Sequence, residues 1–480
     1  MKIVFLSSEA APFAKTGGLA DVVGALPRFL AKLGFDVKVF LPLYREVRKK
    51  GLPLLKAADR LSLAWDGQEE LFSVWESAES GASVFFIDKP ALYDRDGLYG
   101  TPAGDYEDNG RRFAFFSQAS LAALKALNIS PDILHVHDWQ SSIALAYLKT
   151  LYASDPFFAA TKSLCTIHNL AYQGLFDRSV LEAIGLPDSL FTVDGLEFFG
   201  KINFLKAGIL YADAISTVSH RYSCEIQTPE YGFGLDGLLR ERNSILAGIL
   251  NGVDYAAWNP ADDSALAAPY SVSDLKGKES CKADLRAAFG LPSLKNDPPL
   301  VGMVTRLAGQ KGLDILIEAL GGLFPLGLQL VVLGTGEDAI QRSLETARFR
   351  YPSFFGLKIG FDEKLAHKVY AGSDLFLIPS RYEPCGLTQM YSLKYGAIPV
   401  VRATGGLDDS VQEYDPAAGL GNGFKFEVYS ASALRDAVQR ALRVYSQKPA
   451  WAKVVKNAMS CDFSWERAAQ EYALLYRNIR

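Results

Sequence analysis

The sequence predicts an α/β protein made of two doubly wound parallel-sheet domains. Three observations carry this reading. Short apolar runs bounded by glycine or polar residues alternate with stretches of helical apolar spacing. The alternation lapses near Arg242 and then restarts. The chain has 480 residues, more than one hydrophobic core organises. Strands that alternate with helices form parallel sheets, because each helix carries the chain back to the same end of the sheet. The expected division is 1–242, 243–460 and a closing helix over 461–480.

In order, Ile3-Val4-Phe5-Leu6 reads as a buried strand. Lys15-Thr16-Gly17-Gly18-Leu19-Ala20-Asp21-Val22 then leads into a helix with Leu19, Val22, Val23, Leu26, Phe29, Leu30 and Leu33 on one stripe, stopped by Gly34. Asp36–Leu41 and Ser83–Ile87 are further strands. Residues 88–112 are polar and glycine-rich, a long loop whose tyrosines, Tyr93 among them, favour a binding surface. Ile133–His137 is a strand that ends at Asp138-Trp139-Gln140. Ser163–Ile167 ends at His168-Asn169, and Ala214–Ser219 closes this half. The second half repeats the scheme. Leu300–Thr305 leads to Arg306 and Lys311, Leu375–Pro379 to Arg381–Gly386, and Pro399–Val401 to Thr404-Gly405-Gly406. The two halves are expected to face one another across a cleft. Trp465, Ala468, Ala469, Tyr472, Leu475, Tyr476 and Ile479 have helical spacing, suited to a helix that packs back on the first domain.

Composition excludes several classes. A net charge of −4 lacks the basic surface of a nucleic-acid binder, and no apolar run is long enough to span a bilayer. The N-terminus enters a strand at once and shows no signal-peptide core. The five cysteines are scattered without a CxxC pair, and the five histidines lack zinc-hydrolase spacing, so no metal is expected and a reducing cytosol is.

The chemistry concentrates at strand ends. Two glycines before a helix let a ligand approach the backbone, free N–H groups attract an anion, and Lys15 adds charge. A tight turn with a solvated lysine fits the same spacing. Arg306 and Lys311, five positions apart, can clamp a diphosphate, or can be a surface ion pair and a solvated side chain. Thr404-Gly405-Gly406 is a second candidate anion loop. Glu383 can bind sugar hydroxyls or stabilise positive charge on carbon, or can simply favour a helix N-terminus. Cys385 reads as a packing residue. His168 reads as a cleft-facing or structural histidine, and His135 and His137, on one face of their strand, as a core or cleft wall or, more weakly, as metal ligands.

Taken together, six motifs in order resemble the bacterial glycogen synthase and plant starch synthase family: Lys15–Val22, His168–Gly174, Asn251–Asp254, Arg306–Gly312, Arg381–Gln389 and Thr404–Leu407. The resemblance implies a GT-B glycosyltransferase that uses no metal or cofactor. It would move glucose from ADP-glucose to the non-reducing end of an α-1,4-glucan with retention. It places Lys15 and Gly18 at the donor phosphates, and Asp21 in contact with the donor. Arg306 and Lys311 would neutralise the departing diphosphate, and His168, Asn251 and Glu383 would surround the glucose. Cys385, Gly386 and Leu387 would offer backbone contacts and Thr388 would help bind phosphate. Tyr93 and the Asp138-Trp139 end would lie on the acceptor side. The sequence departs from the family pattern at three positions. Tyr391 stands where wider relatives carry a second glutamate, Gln140 where a histidine is common, and Phe361 where a tyrosine often stacks on adenine.

Overall fold

The computed structural model describes residues 1–77, 82–101 and 103–479. The chain divides into two compact units, residues 1–252 with 465–480, and residues 253–464. The first boundary therefore lies ten residues beyond the expected 242, and the second at 464 rather than 460. The reason is a strand. Leu246–Gly248 continues the first sheet, pairing in parallel with Ala214–Thr217, instead of opening the second.

The first unit holds, among the described residues, a nine-stranded sheet. From one edge its order is Leu246–Gly248, Ala214–Thr217, Lys162–Ile167, Ile133–His137, Lys2–Leu6, Asp36–Pro42, Ser83–Asp88, Gln68–Ser77 and Leu55–Trp65. The first seven strands run parallel. The last two form an antiparallel hairpin at the far edge, turned at Asp66-Gly67, both with positive φ. Ile3 to Leu6 are wholly buried, as fits a strand covered on both faces. The helix Gly18–Lys32 buries the predicted stripe from Leu19 to Leu30, whereas Leu33 is its C-cap and exposed. The helix Trp465–Asn478 lies against Gly18–Lys32 and buries Trp465, Ala469, Tyr472 and Tyr476.

The second unit holds a six-stranded parallel sheet in the order Phe355–Ile359, Gln329–Gly334, Leu300–Val304, Leu375–Ile378, Ile398–Arg402 and Phe424–Phe426. Among the parallel strands of each unit the strand order reverses once. The reversal falls between Lys2–Leu6 and Ile133–His137 in the first, and between Leu300–Val304 and Leu375–Ile378 in the second. Crossovers leave in opposite directions there, and the carboxyl ends of those strands form a crevice for ligands.

Candidate active site

In the second unit, the crevice strands deliver Lys311 and Glu383. After Leu300–Val304 the chain passes Arg306, makes a tight turn over Gly309–Lys311, and enters the helix Leu313–Leu323 through Gly312. Gly312 has φ +72°, and a Cβ there would sit 2.0 Å from the Pro379 carbonyl oxygen. This close approach carries Lys311 across to the neighbouring strand end. Lys311 Nζ lies 2.7 Å from Glu383 Oε2, and Ser380 Oγ donates to the same oxygen at 2.9 Å. Glu383 is 8% exposed, so its charge is held by these two donors rather than by bulk water. Arg306 is exposed and makes no ion pair among the described residues. One of the two predicted clamp cations is thus fixed in place, and the other is open to an anion.

The loop Thr404-Gly405-Gly406, expected as an anion site, also packs against the segment that carries Glu383. A Cβ at Gly405 would lie 2.0 Å from the Glu383 carbonyl oxygen, and one at Gly406 would lie 1.9 Å from that of Cys385. The Gly406 N–H donates to the Glu383 and Pro384 carbonyls, both at 3.1 Å. These glycines let the Glu383–Cys385 segment rest on the loop. Gln389 Nε2 then takes up the carbonyls of Cys385 and Gly386 at 3.0 and 2.8 Å. The N–H groups of Gly386, Leu387 and Thr388 donate to nothing among the described residues. Tyr391 is a packing residue: its ring stacks on Trp258 at 3.9 Å, and His367 covers the other face of Trp258 at 4.0 Å. The Phe361 ring is 88% exposed.

In the first unit, the loop after Lys2–Leu6 is organised by a carboxylate. Glu9 is buried and accepts from the Thr16 N–H at 2.5 Å, the Thr16 hydroxyl at 2.6 Å and the Gly17 N–H at 3.1 Å. Tyr99 OH also donates to Glu9, at 2.6 Å, and lies 2.7 Å from Ser8 Oγ. Two of the N–H groups expected to meet an anion are therefore spent on Glu9. Gly17 and Gly18 remain open, since a Cβ at either would meet nothing within 4 Å. Protein packing does not demand glycine here, unlike at Gly405 and Gly406, so what the missing side chains leave is bare backbone. Lys15 and Asp21 pair at 2.6 Å, both partly exposed. Replacing Glu9 by Ala strands four donors around a buried space. The expected result is a loss of about 2–3 kcal/mol in unfolding free energy, with a smaller loss of about 1 kcal/mol for Tyr99→Phe, both read by urea unfolding.

His168 and Asp138 meet at adjacent strand ends. Asp138 adopts φ +53°, a left-handed conformation a side chain rarely takes, and its Oδ1 accepts the backbone N–H groups of His168 at 2.7 Å and Asn169 at 3.4 Å. Burial pushes the Asp138 carboxyl up to about 7, against the lowering pull of those two N–H groups. Burial pushes the His168 imidazole down to about 3, and His135 and His137 well below the usual range. His168 Nε2 lies 3.0 Å from His137 Nδ1. His135 is bracketed by Tyr476 OH at 2.9 Å and Thr166 Oγ1 at 2.6 Å, so this histidine pair is core wall, tied to the closing helix. Asn251 is 6% exposed, with Oδ1 lacking a partner among the described residues.

Two expectations are corrected. Tyr93 does not face a ligand: it is wholly buried, its hydroxyl donates to the Arg112 carbonyl at 2.8 Å, and its ring meets Tyr44 edge-on. Trp139 is likewise packed, against Phe113 and Phe176, and the position of a Gly174 Cβ lies 2.5 Å from its indole. Gln140 is buried beside it, with Oε1 unpartnered among the described residues. The residues that sequence reasoning passed over are Glu9, Tyr99, Ser380 and the His137–His168 contact. Only Glu9 left a signal, as a carboxylate between a buried strand and a glycine loop.

Comparisons with known proteins agree with this architecture. Residues 2–241 match the family model described as starch synthase catalytic domain, and residues 289–458 that of glycosyl transferases group 1. The chain is 49% identical to a glycogen synthase of Koribacter versatilis, covering 100% of this chain and 98% of that one. It is 46% identical to a glycogen synthase of Thermotoga maritima, covering 99% and 98%. The catalytic domain of starch synthase IV from Arabidopsis thaliana, solved bound to ADP and acarbose, superposes with a TM-score of 0.90 at 36% identity over 99% of both chains. A sucrose-phosphate synthase from Thermosynechococcus elongatus shares the fold, with a TM-score of 0.61 at 19% identity over 100% and 98%. With its strand-end residues in that order and these relatives along its whole length, the chain belongs to the glycogen synthase and starch synthase family of GT-B glycosyltransferases.

Proposed function

We propose that the chain transfers glucose from ADP-glucose to the non-reducing end of an α-1,4-glucan, with retention of the anomeric configuration. The observation that carries this reading is the second unit's charge arrangement: Lys311 paired with Glu383, whose same oxygen accepts from Ser380, and Arg306 open at the end of the same strand. A diphosphate that leaves carbon gains charge, and cations already in position stabilise that charge without reorganising. Arg306 and Lys311 take the diphosphate, and the open N–H groups of Gly386, Leu387 and Thr388 add donors. Glu383 Oε2 already accepts from two groups, which suits a carboxylate that places charge better than one that attacks carbon. The acceptor hydroxyl then enters on the face the diphosphate leaves. Lys15, Gly18, Asp21, His168 and Asn251 of the first unit serve the same reaction, Lys15 and Gly18 towards phosphate and His168 and Asn251 towards the hexose. No helix among the described residues is long and apolar enough to cross a membrane, and the five cysteines carry no disulfide. Work in a reducing compartment fits those thiols.

A donor panel with glycogen as acceptor tests this. ADP-glucose is expected to outrun UDP-glucose, with ADP released only when glycogen is present. Turnover of the sugar nucleotide without an acceptor would instead favour an epimerase or a small-acceptor enzyme on the same fold.

A further inference from the structure

The ring of His168 stands at the end of the strand Lys162–Ile167, with its Nε2 3.0 Å from Nδ1 of His137. Two imidazole nitrogens at that distance share one proton, so one ring donates and the other accepts. Burial keeps both rings neutral near pH 7, and each then carries a single N–H. Which ring donates is decided at the far nitrogen of His137. That Nε2 is buried and has no hydrogen-bond partner among the described residues. The ring is flanked by His135 at 4.0 Å and Phe5 at 5.0 Å. A proton on Nε2 would be a buried N–H without an acceptor, the rarer and costlier kind of orphan, whereas a lone pair there is better tolerated. The His137 proton therefore sits on Nδ1.

We propose that His137 is a positioning residue that sets the tautomer of His168. Its Nδ1–H donates to His168 Nε2, so His168 carries its own proton on Nδ1 and presents it to an oxygen lone pair of the nucleotide-sugar donor. This rests on the proposed place of His168 at the hexose. His168 Nδ1 has no partner among the described residues, and the backbone of His168 is anchored through its N–H to Asp138 Oδ1 at 2.7 Å. The pairing also decides what His168 does not do. Its lone-pair nitrogen is occupied by His137, so it is no general base in the free enzyme. The ligand atom it meets is an acceptor oxygen rather than a hydroxyl proton.

Imidazole nitrogen NMR on the full chain, with the His168 signals assigned by their loss in His168→Gln, reads the tautomer directly at pH 7. Protonation at Nδ1 is expected, and protonation at Nε2 overturns the proposal whatever the activity. In kinetics, His137→Leu is expected to lower kcat/KM for ADP-glucose about tenfold to a hundredfold. His137→Asn, whose amide N–H can point at His168 Nε2, is expected to recover most of that loss. Equal losses in two variants that both fold would remove the positioning role. If His168 is protonated at Nδ1 yet His168→Gln keeps full activity, the tautomer pairing stands and the placing of His168 at the hexose fails.

Discussion

Lys311→Ala is expected to lower turnover with ADP-glucose by about a hundredfold or more, the size of effect seen when one preorganised charge is removed from a site where charge develops. Two consequences of the substitution must be separated. One is the loss of a cation for the diphosphate. The other is local: Glu383, with its side chain 11% exposed, is left with Ser380 alone to answer its charge. Removing one partner of a buried pair costs about 3–5 kcal/mol, and the partial exposure of both groups here puts the expectation at the lower end. The double variant Lys311→Met with Glu383→Gln separates the two. A neutral amide needs no counter-charge, so unfolding free energy is expected to recover most of its loss while turnover stays low. Turnover near that of the unmodified enzyme in Lys311→Ala would remove Lys311 from the mechanism. Turnover recovering together with stability in the double variant would make Lys311 a structural residue.

The alternation of apolar strands and periodic helices was legible because parallel strands buried on both faces must be continuously apolar. Ile3–Leu6 and Leu330–Leu333 carry that signature plainly. The hairpin Leu55–Trp65 with Gln68–Ser77 was missed for the converse reason. It lies at the sheet edge with many exposed side chains, so its apolar content is diluted, and the Asp66-Gly67 turn was its clearest mark. The site was legible by residue type and less so by task. Gly17-Gly18 and Gly405-Gly406 look alike in sequence, yet the first pair has open space where side chains would be and the second is pressed by backbone oxygens. Spacing along the chain carries no information on what crosses above a loop. Tyr93 and Tyr99 show the same limit. Both are loop tyrosines, but one turns into the core to meet the Arg112 carbonyl, and the other reaches a carboxylate 90 positions away. Glu383 was found as a carboxylate at a strand end, but Ser380, which shares its oxygen with Lys311, had nothing in sequence to distinguish it.

The long polar segment over 88–112 thereby gains a role other than the one its tyrosines suggested. Arg112 is fully buried and donates to the carbonyls of Leu92 and Leu98 at 2.8 and 3.0 Å, which folds the segment on itself. Tyr99 then delivers the folded segment to Glu9, and Glu9 holds Thr16 and Gly17. The segment acts on the glycine loop through a chain of hydrogen bonds.

Between about pH 6 and pH 4 the first unit is expected to lose stability steeply, because of its three clustered histidines. His135 and His137 are buried and His168 is partly so, and desolvation holds all three imidazoles below the ordinary value of 6.5. In that window the unfolded chain binds a proton at each and the folded chain does not. Stability from these groups is therefore fully present above about pH 6.5 and is lost as the pH falls. His168 brings no relief until about pH 3. Asp138 works in the opposite sense: burial raises its carboxyl to about 7, so across the same window the folded chain holds a proton that the unfolded chain has released. Three groups gain a proton on unfolding and one loses it, so on balance the cluster destabilises the fold as the pH falls, by a few kcal/mol per pH unit at most. Urea unfolding of the unmodified protein and of His135→Gln at several pH values reads it. The glutamine keeps polar atoms for Tyr476 and Thr166 but has nothing to protonate, so its slope should be shallower, by on the order of 1 kcal/mol per pH unit. Other titrating groups contribute alike to both proteins and drop out of the difference. Equal slopes would mean that His135 is already charged inside the fold, a state its two hydroxyl neighbours, Tyr476 and Thr166, would have to support with no carboxylate bonded to the ring.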